Sequence, residues 1–185
     1  MGTGGKIAIG CGIAVLVAGI VAVVALGGAV YWAKGKAEEL TGEQNRIEEL
    51  HRRANANRFT PPADGAISEE RLQKFLDVRK RVYAVYEKHK EELDEMGKKK
   101  QGDFGDVRKG FALINELRLA QAQGLADLGM SEDEYRFLVE EIYKSMWASA
   151  SPATVDVPAA NIALFRNYEA DIKKYAMGGL EWIGL

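Results

Sequence analysis

From Ile7 to Trp32 the chain reads IAIGCGIAVLVAGIVAVVALGGAVYW, without one charged residue. As a helix this run of about 26 residues would span roughly 39 Å, and a hydrocarbon core needs only about 20 residues. The pattern predicts a single N-terminal transmembrane helix over 7–32, behind a glycine-rich tail at 1–6. Tyr31 and Trp32, followed by Lys34 and Lys36, have the order of an interfacial aromatic belt and a basic flank. A cleaved signal peptide carries a shorter apolar region of about 7 to 15 residues, so an uncleaved anchor is expected, although Ala25-Leu26-Gly27 has the small residues of a cleavage site.

The pattern then changes. Between Ala33 and Phe59 the chain is charged and mixed in sign, with Leu40, Ile47 and Leu50 as its larger aliphatic positions. Their spacing of seven and three makes a thin stripe on one helical face, and the segment 33–59 is expected to be a polar, mostly helical stalk. Pro61-Pro62 and Asp64-Gly65 end it, because paired prolines and Asp-Gly turn a chain.

From residue 60 to 185 the periodicity is that of a small antiparallel bundle of about four helices, so the fold class is all-α. Ser68 is an N-cap, with Ile67 and Leu72 placed to clasp the first turn. Leu72, Phe75, Arg79, Val82, Tyr86, His89, Leu93 and Met96 then step by threes and fours, predicting a helix that runs to Gly97. A second helix follows Asp103 with Phe104, Val107, Phe111, Ile114 and Leu117. Its small and polar middle, including Asn115, Gln121 and Gln123, is expected to face water. Gly129 closes that helix, and Ser131 with Glu134 has capping-box spacing for a third, while Met130 and Tyr135 form its staple. Pro158 opens a last helix carrying Phe165, Tyr168, Ile172 and Tyr175. No alternating run predicts a strand. The chain finishes in an apolar tail whose Leu180, Trp182 and Ile183 either fold back on the bundle or dock a partner.

Composition changes this picture little. A net charge of −2 in 185 residues argues against general nucleic-acid binding. The one cysteine, Cys11, lies in the apolar run and reads as a small buried hydrophobe, so no intrachain disulfide or cysteine metal site can form. Met1 to Lys6 lacks both the myristoylation pattern and a phosphate loop, with Lys6 and Ile7 where hydroxyl residues are required. Asp103-Phe104-Gly105 spells a kinase magnesium triplet without the rest of that machinery. Glu48 and His51 stand at the spacing of one half of a di-iron motif, but the second half is missing. Glu140 and Glu141 point about 100° apart on a helix and read as a solvated edge. Neither a metal nor another cofactor is expected, and no catalytic residue stands out.

Gly10, Ala14, Ala18 and Ala22 recur every fourth residue in the span, a smooth ridge suited to pairing with another span. The basic residues after the span exceed those before it, which by the positive-inside rule puts the domain in the cytoplasm, whereas short, lightly basic N-terminal tails also precede exported domains; sidedness stays open. The reading is a single-pass membrane protein whose helical domain acts as an interaction module, a scaffold or adaptor, with the bilayer and a protein (or a second copy, through the span) as partners. The alternative is a ligand-sensing bundle with Tyr83, Tyr86, Tyr143 and Tyr168 lining a pocket. Enzymatic activity is the least supported, since His51 and His89 are the only histidines.

Overall fold

A computed structural model describes residues 37–92, 95, 104–150 and 156–176. It comprises α1 (Ala37–Asn55), α2 (Glu69–Lys88), α3 (Phe104–Leu128), α4 (Glu132–Ala150) and α5 (Ala159–Tyr175). The fold is all-helical, with the helices packed in a bundle and no strand among the described residues. Among these residues no helix is long and apolar enough to cross a membrane; the Ile7–Trp32 run lies outside them.

The helix boundaries follow local chemistry. Ser68 is extended (φ −81°, ψ 149°), and its Oγ accepts the Arg71 amide at 3.3 Å, satisfying a donor that the first turn of α2 leaves free. Gly129 has φ +64°, the left-handed conformation that stops α3, and Ser131 Oγ then accepts the Glu134 amide at 3.1 Å to start α4. Pro158 stands at the N-cap of α5, where a missing amide hydrogen costs nothing. One boundary differs from the sequence pattern. Regular α2 stops at Lys88 because His89 leaves helical geometry (φ −101°, ψ 4°), and residues 90–92 are helical again. The apolar spacing continues through this break because spacing reports which face is buried, not whether the backbone ladder is intact.

Side-chain pairs give the directions. Val78 lies at Gly124, Arg81 bonds Asp127 at 2.7 Å, His89 bonds Glu116 at 3.1 Å and Lys109 pairs with Glu92 at 2.7 Å, so α2 and α3 are antiparallel. α1 runs parallel to α3, its Ile47 and Leu50 packed with Leu119, Ala122 and Ala126. α4 and α5 form a hairpin across the first half of α2, where Leu72, Phe75 and Leu76 meet Leu138, Ile142 and Phe165 in the main core. α5 follows α2 in the same direction, from Ile67 beside Asn161 to Arg79 beside Tyr175.

The segment expected as a stalk therefore contributes a helix to the bundle. Ile47, Leu50 and Ala54 are 7%, 5% and 0% exposed. Three apolar residues suffice because α3 offers small Ala122 and Ala126 opposite them, which lets the two backbones approach. The polar middle of α3 also departs from expectation. Gln121 is buried at 5% exposure, and Asn115 and Gln123 are half-buried rather than in open water. This stretch has partners on two sides, α1 and α2, which leaves it little free perimeter.

Gly124 marks the close approach of α2. A Cβ there would sit 3.3 Å from Val78 Cγ1 and 3.4 Å from both Val78 Cα and Arg81 Cδ. Gly124→Val adds two methyl groups against that backbone and is expected to cost about 1–3 kcal/mol, the range for overpacking. Urea titration of the detergent-solubilised chain, followed by tryptophan fluorescence, would measure it; a neutral result would mean that α2 and α3 can separate freely at this point.

Candidate functional site

The sequence-predicted positions fall in two groups. Gly10, Ala14, Ala18 and Ala22 of the ridge, and Leu180, Trp182 and Ile183 of the tail, lie outside the described residues, as do Leu93 and Met96. The four tyrosines are described, and they do not converge. Tyr83 meets Tyr86 at 6.0 Å and Tyr175 at 5.4 Å between ring centroids, with Lys174 Nζ 5.9 Å from the Tyr83 ring. Tyr168 is two helical turns away, where its hydroxyl donates to Glu69 and accepts from Gln73. Tyr143 packs instead beside Trp147 on α4, at 6.3 Å.

The polar groups that the bundle buries are tied between helices. Arg79 is 1% exposed. Its Nη1 donates to the Tyr135 hydroxyl at 2.9 Å, and its Nε and Nη2 donate to the Tyr175 carbonyl at 3.2 and 2.9 Å. One guanidinium so joins α2, α4 and the last carbonyls of α5, the negative end of that helix dipole. Asn161 is also 1% exposed. Its Oδ1 accepts the Ile67 amide at 2.8 Å and its Nδ2 donates to the Gly65 carbonyl at 2.9 Å, pinning the turn before α2 to the start of α5. Both residues occupy apolar-face register in the sequence: Arg79 stands in the α2 seam, and Asn161 precedes Phe165, Tyr168 and Ile172 at helical spacing. A polar residue in such a register was the signal that could have identified Asn161.

The two histidines also bridge helices. His51 Nδ1 is 3.0 Å from Glu132 Oε1, and Asn55 Nδ2 donates to Glu132 Oε2 at 2.6 Å while Asn55 Oδ1 accepts the Glu132 amide at 2.9 Å. The end of α1 thereby supplies a second cap to the start of α4. His89 stands between two carboxylates, Nε2 at 3.1 Å from Glu116 and Nδ1 at 3.6 Å from Glu92. The carboxylates approach opposite ring nitrogens, so they do not converge on one point, and among the described residues no acidic, histidine or cysteine cluster could hold a metal.

Glu141 corrects another expectation. It is buried rather than on a solvated edge, and its Oε1 accepts from Lys144 at 2.8 Å, with Glu140 taking the same ammonium at 2.7 Å. The hydrogen bonds that Lys144 donates to Glu140 and then to Glu141 hold its pKa above the ordinary value. The Arg81 guanidinium, then the Gln123 amide, hold the Asp127 carboxyl below its ordinary value. A carboxyl depressed in the folded state stabilises above its unfolded pKa, near 4, and that contribution disappears as pH falls through the folded value. Asp127→Asn is therefore expected to lower stability near neutrality, where the carboxylate's contribution is fully present, and to leave it unchanged in acid below the folded pKa, so that the stability-versus-pH curve is flatter below about pH 5. Denaturation midpoints at several pH values would show it, and parallel curves for both chains would exclude the pair as a contributor.

The best-formed hollow, where Ile67, Leu72, Ser145, Asn161, Phe165 and Ile172 meet, has no room for a water molecule. Trp147, at 49% exposure, is the one large hydrophobic side chain exposed among the described residues. Compared with protein-family models, curated proteins and solved structures, the chain matches none.

Proposed function

We propose that this chain is a single-pass membrane-anchored helical interaction module, a scaffold or adaptor within a membrane complex. The observation that carries the reading is the uncharged Ile7–Trp32 run, long enough for a hydrocarbon core. In this arrangement residues 7–32 form the anchor, residues 33–36 connect it to α1, and the bundle projects from the membrane. The domain's chemistry supports a binding role. Arg79 and Asn161 have their polar atoms engaged in bonds between helices, and the hollow that Asn161 helps line has no room for a water molecule. The partners are then the bilayer and a protein, or a second copy engaged through Gly10, Ala14, Ala18 and Ala22. The apolar tail with Leu180, Trp182 and Ile183 is a further docking element in the same reading.

Affinity purification of the full-length protein from its native membrane in mild detergent tests this. A stoichiometric protein partner is expected; a monomer that brings down a small molecule would favour a ligand-sensing bundle instead. For the span, Ala14→Ile with Ala18→Ile fills the smooth ridge and is expected to reduce self-association in a membrane two-hybrid assay at least severalfold, in line with close small-residue packing. An unchanged signal would remove the ridge as a contact.

A further inference from the structure

We propose that Thr60, on the strap that joins α1 to α2, is a phosphorylation site whose phosphate is received by Arg58 and Arg71. Access singles the residue out. Among the serine and threonine side chains described, Ser68 and Ser131 cap backbone amides, and Ser145 and Ser149 donate to carbonyls of their own helix. Thr60 alone of these makes no hydrogen bond, and it is exposed in the non-helical stretch 58–62. Pro61 keeps it extended, because a proline ring disfavours helical geometry in the residue before it. An exposed hydroxyl on an extended segment can enter a kinase groove without the unfolding of a helix.

The receivers stand on either side of Phe59. Successive side chains of an extended segment alternate, so Phe59, packed on Phe137 at 5.3 Å between ring centroids, leaves Arg58 and Thr60 on the outer face. Arg58 is exposed and makes no ion pair among the described residues. Arg71 reaches the strap from α2, with its Cζ 4.8 Å from the Phe59 ring centroid. Its donors are poorly used: Nε stands 3.4 Å from Glu134, and Nη1 is buried without an acceptor. A phosphate brings about −1.5 to −2 charges and three acceptor oxygens, which a guanidinium meets with two parallel bonds. Drawn toward it, Arg71 exchanges one loose ion pair for the acceptors it lacks, and Glu134 keeps its place in the first turn of α4, where the helix dipole suits it. In the transfer, Thr60 Oγ1 forms a bond to the γ-phosphorus of a nucleoside triphosphate held by a separate kinase. The bond from that phosphorus to the bridging oxygen breaks, the nucleoside diphosphate leaves, and the hydroxyl proton passes to the kinase's base. This requires a cytoplasmic domain, the sidedness that the basic excess after the span favours.

Mass spectrometry of the full-length protein, purified from its native membrane with phosphatase inhibitors present, is expected to find phosphate on Thr60. Phosphate on other hydroxyls only, or on none, would overturn the site. The receivers are tested on the full chain in detergent with phosphothreonine incorporated at position 60 and titrated by phosphorus NMR. Its second pKa is expected about half a unit or more below the ordinary value near 6. Arg71→Met should return part of that shift, and Arg58→Ala with Arg71→Met nearly all of it, while Arg136→Met, at an exposed position on α4, leaves it unchanged. A phosphate that titrates near 6 in every variant would overturn the docking. Neither measurement involves a protein partner, so failure here leaves the interaction module standing.

Discussion

Leu50→Asp is expected to destabilise the bundle by about 4 kcal/mol or more. Leu50 is 5% exposed and packed in the small core that α1 shares with α3. Losing its burial costs about 2–3 kcal/mol by area, and a carboxylate left in apolar surroundings must either pay desolvation or take up a proton. Glu49, next to it, is exposed, and Glu49→Gln is expected to stay within about 0.5 kcal/mol. Urea titrations of both variants in detergent separate two architectures. A stalk that merely spaces the bundle from the membrane would tolerate both changes alike. The packed α1 seen here tolerates only the second, and identical midpoints for the two variants would place α1 outside the cooperative unit.

That contrast shows where the sequence was legible. Ser68, Gly129, Ser131 and Pro158 mark helix ends by local chemistry, and each end lies where its residues predict. The apolar positions of α2, α4 and α5 recur densely enough to fix a buried face without knowledge of partners. α1 did not, because Ile47 and Leu50 are sparse among charges; their burial depends on Ala122 and Ala126, more than 70 residues further along the chain. The same distance hid Glu141, whose burial comes from the turn at Gly65 and from Pro158 lying nearby, a Cβ on Gly65 standing 3.7 Å from Glu141 Oε2 and 3.9 Å from Pro158 Cγ. The break at His89 was equally unreadable, since Glu116, which holds its ring, sits on another helix.

For the site the limits are of a different kind. The tyrosines share helical spacing with the core, and spacing alone does not say whether two rings on different helices meet. Tyr83 and Tyr175 do meet, at 5.4 Å, whereas Tyr143 turns to Trp147 on its own helix. Side chains that look like pocket material from one element are distributed by the crossing of several. The polar residues with the most structural consequence, Arg79 and Asn161, join elements 56 to 96 residues apart, and what they secure is the α4–α5 hairpin against α2.

Arg79→Met tests that hold directly. Methionine keeps most of the stem volume but leaves the Tyr135 hydroxyl and the Tyr175 carbonyl without the donors that reach them at 2.9 Å. Hydrogen bonds to a charged group contribute about 1.5–3 kcal/mol each, and two acceptors lose theirs, so a loss of about 3–4 kcal/mol is expected. Arg79→Lys restores part of it, because an ammonium on a flexible stem cannot reproduce a planar fork reaching two acceptors. The loss should be concentrated where the guanidinium ends α5. Lys173 and Lys174 are exposed in the last turn, and trypsin should cut there faster in Arg79→Met than in the parent chain, at urea concentrations where both remain globally folded. Tyr135→Phe removes one of the bonds and spares the carbonyl pair, so it should cost about 1 kcal/mol and leave cleavage at 173–174 unchanged. In the double variant the two losses should fall short of their sum, as shared partners require. Strict additivity would mean that the Arg79–Tyr135 bond contributes nothing, and unchanged cleavage at 173–174 in Arg79→Met would mean that the end of α5 is held by packing around Ile172 rather than by the guanidinium.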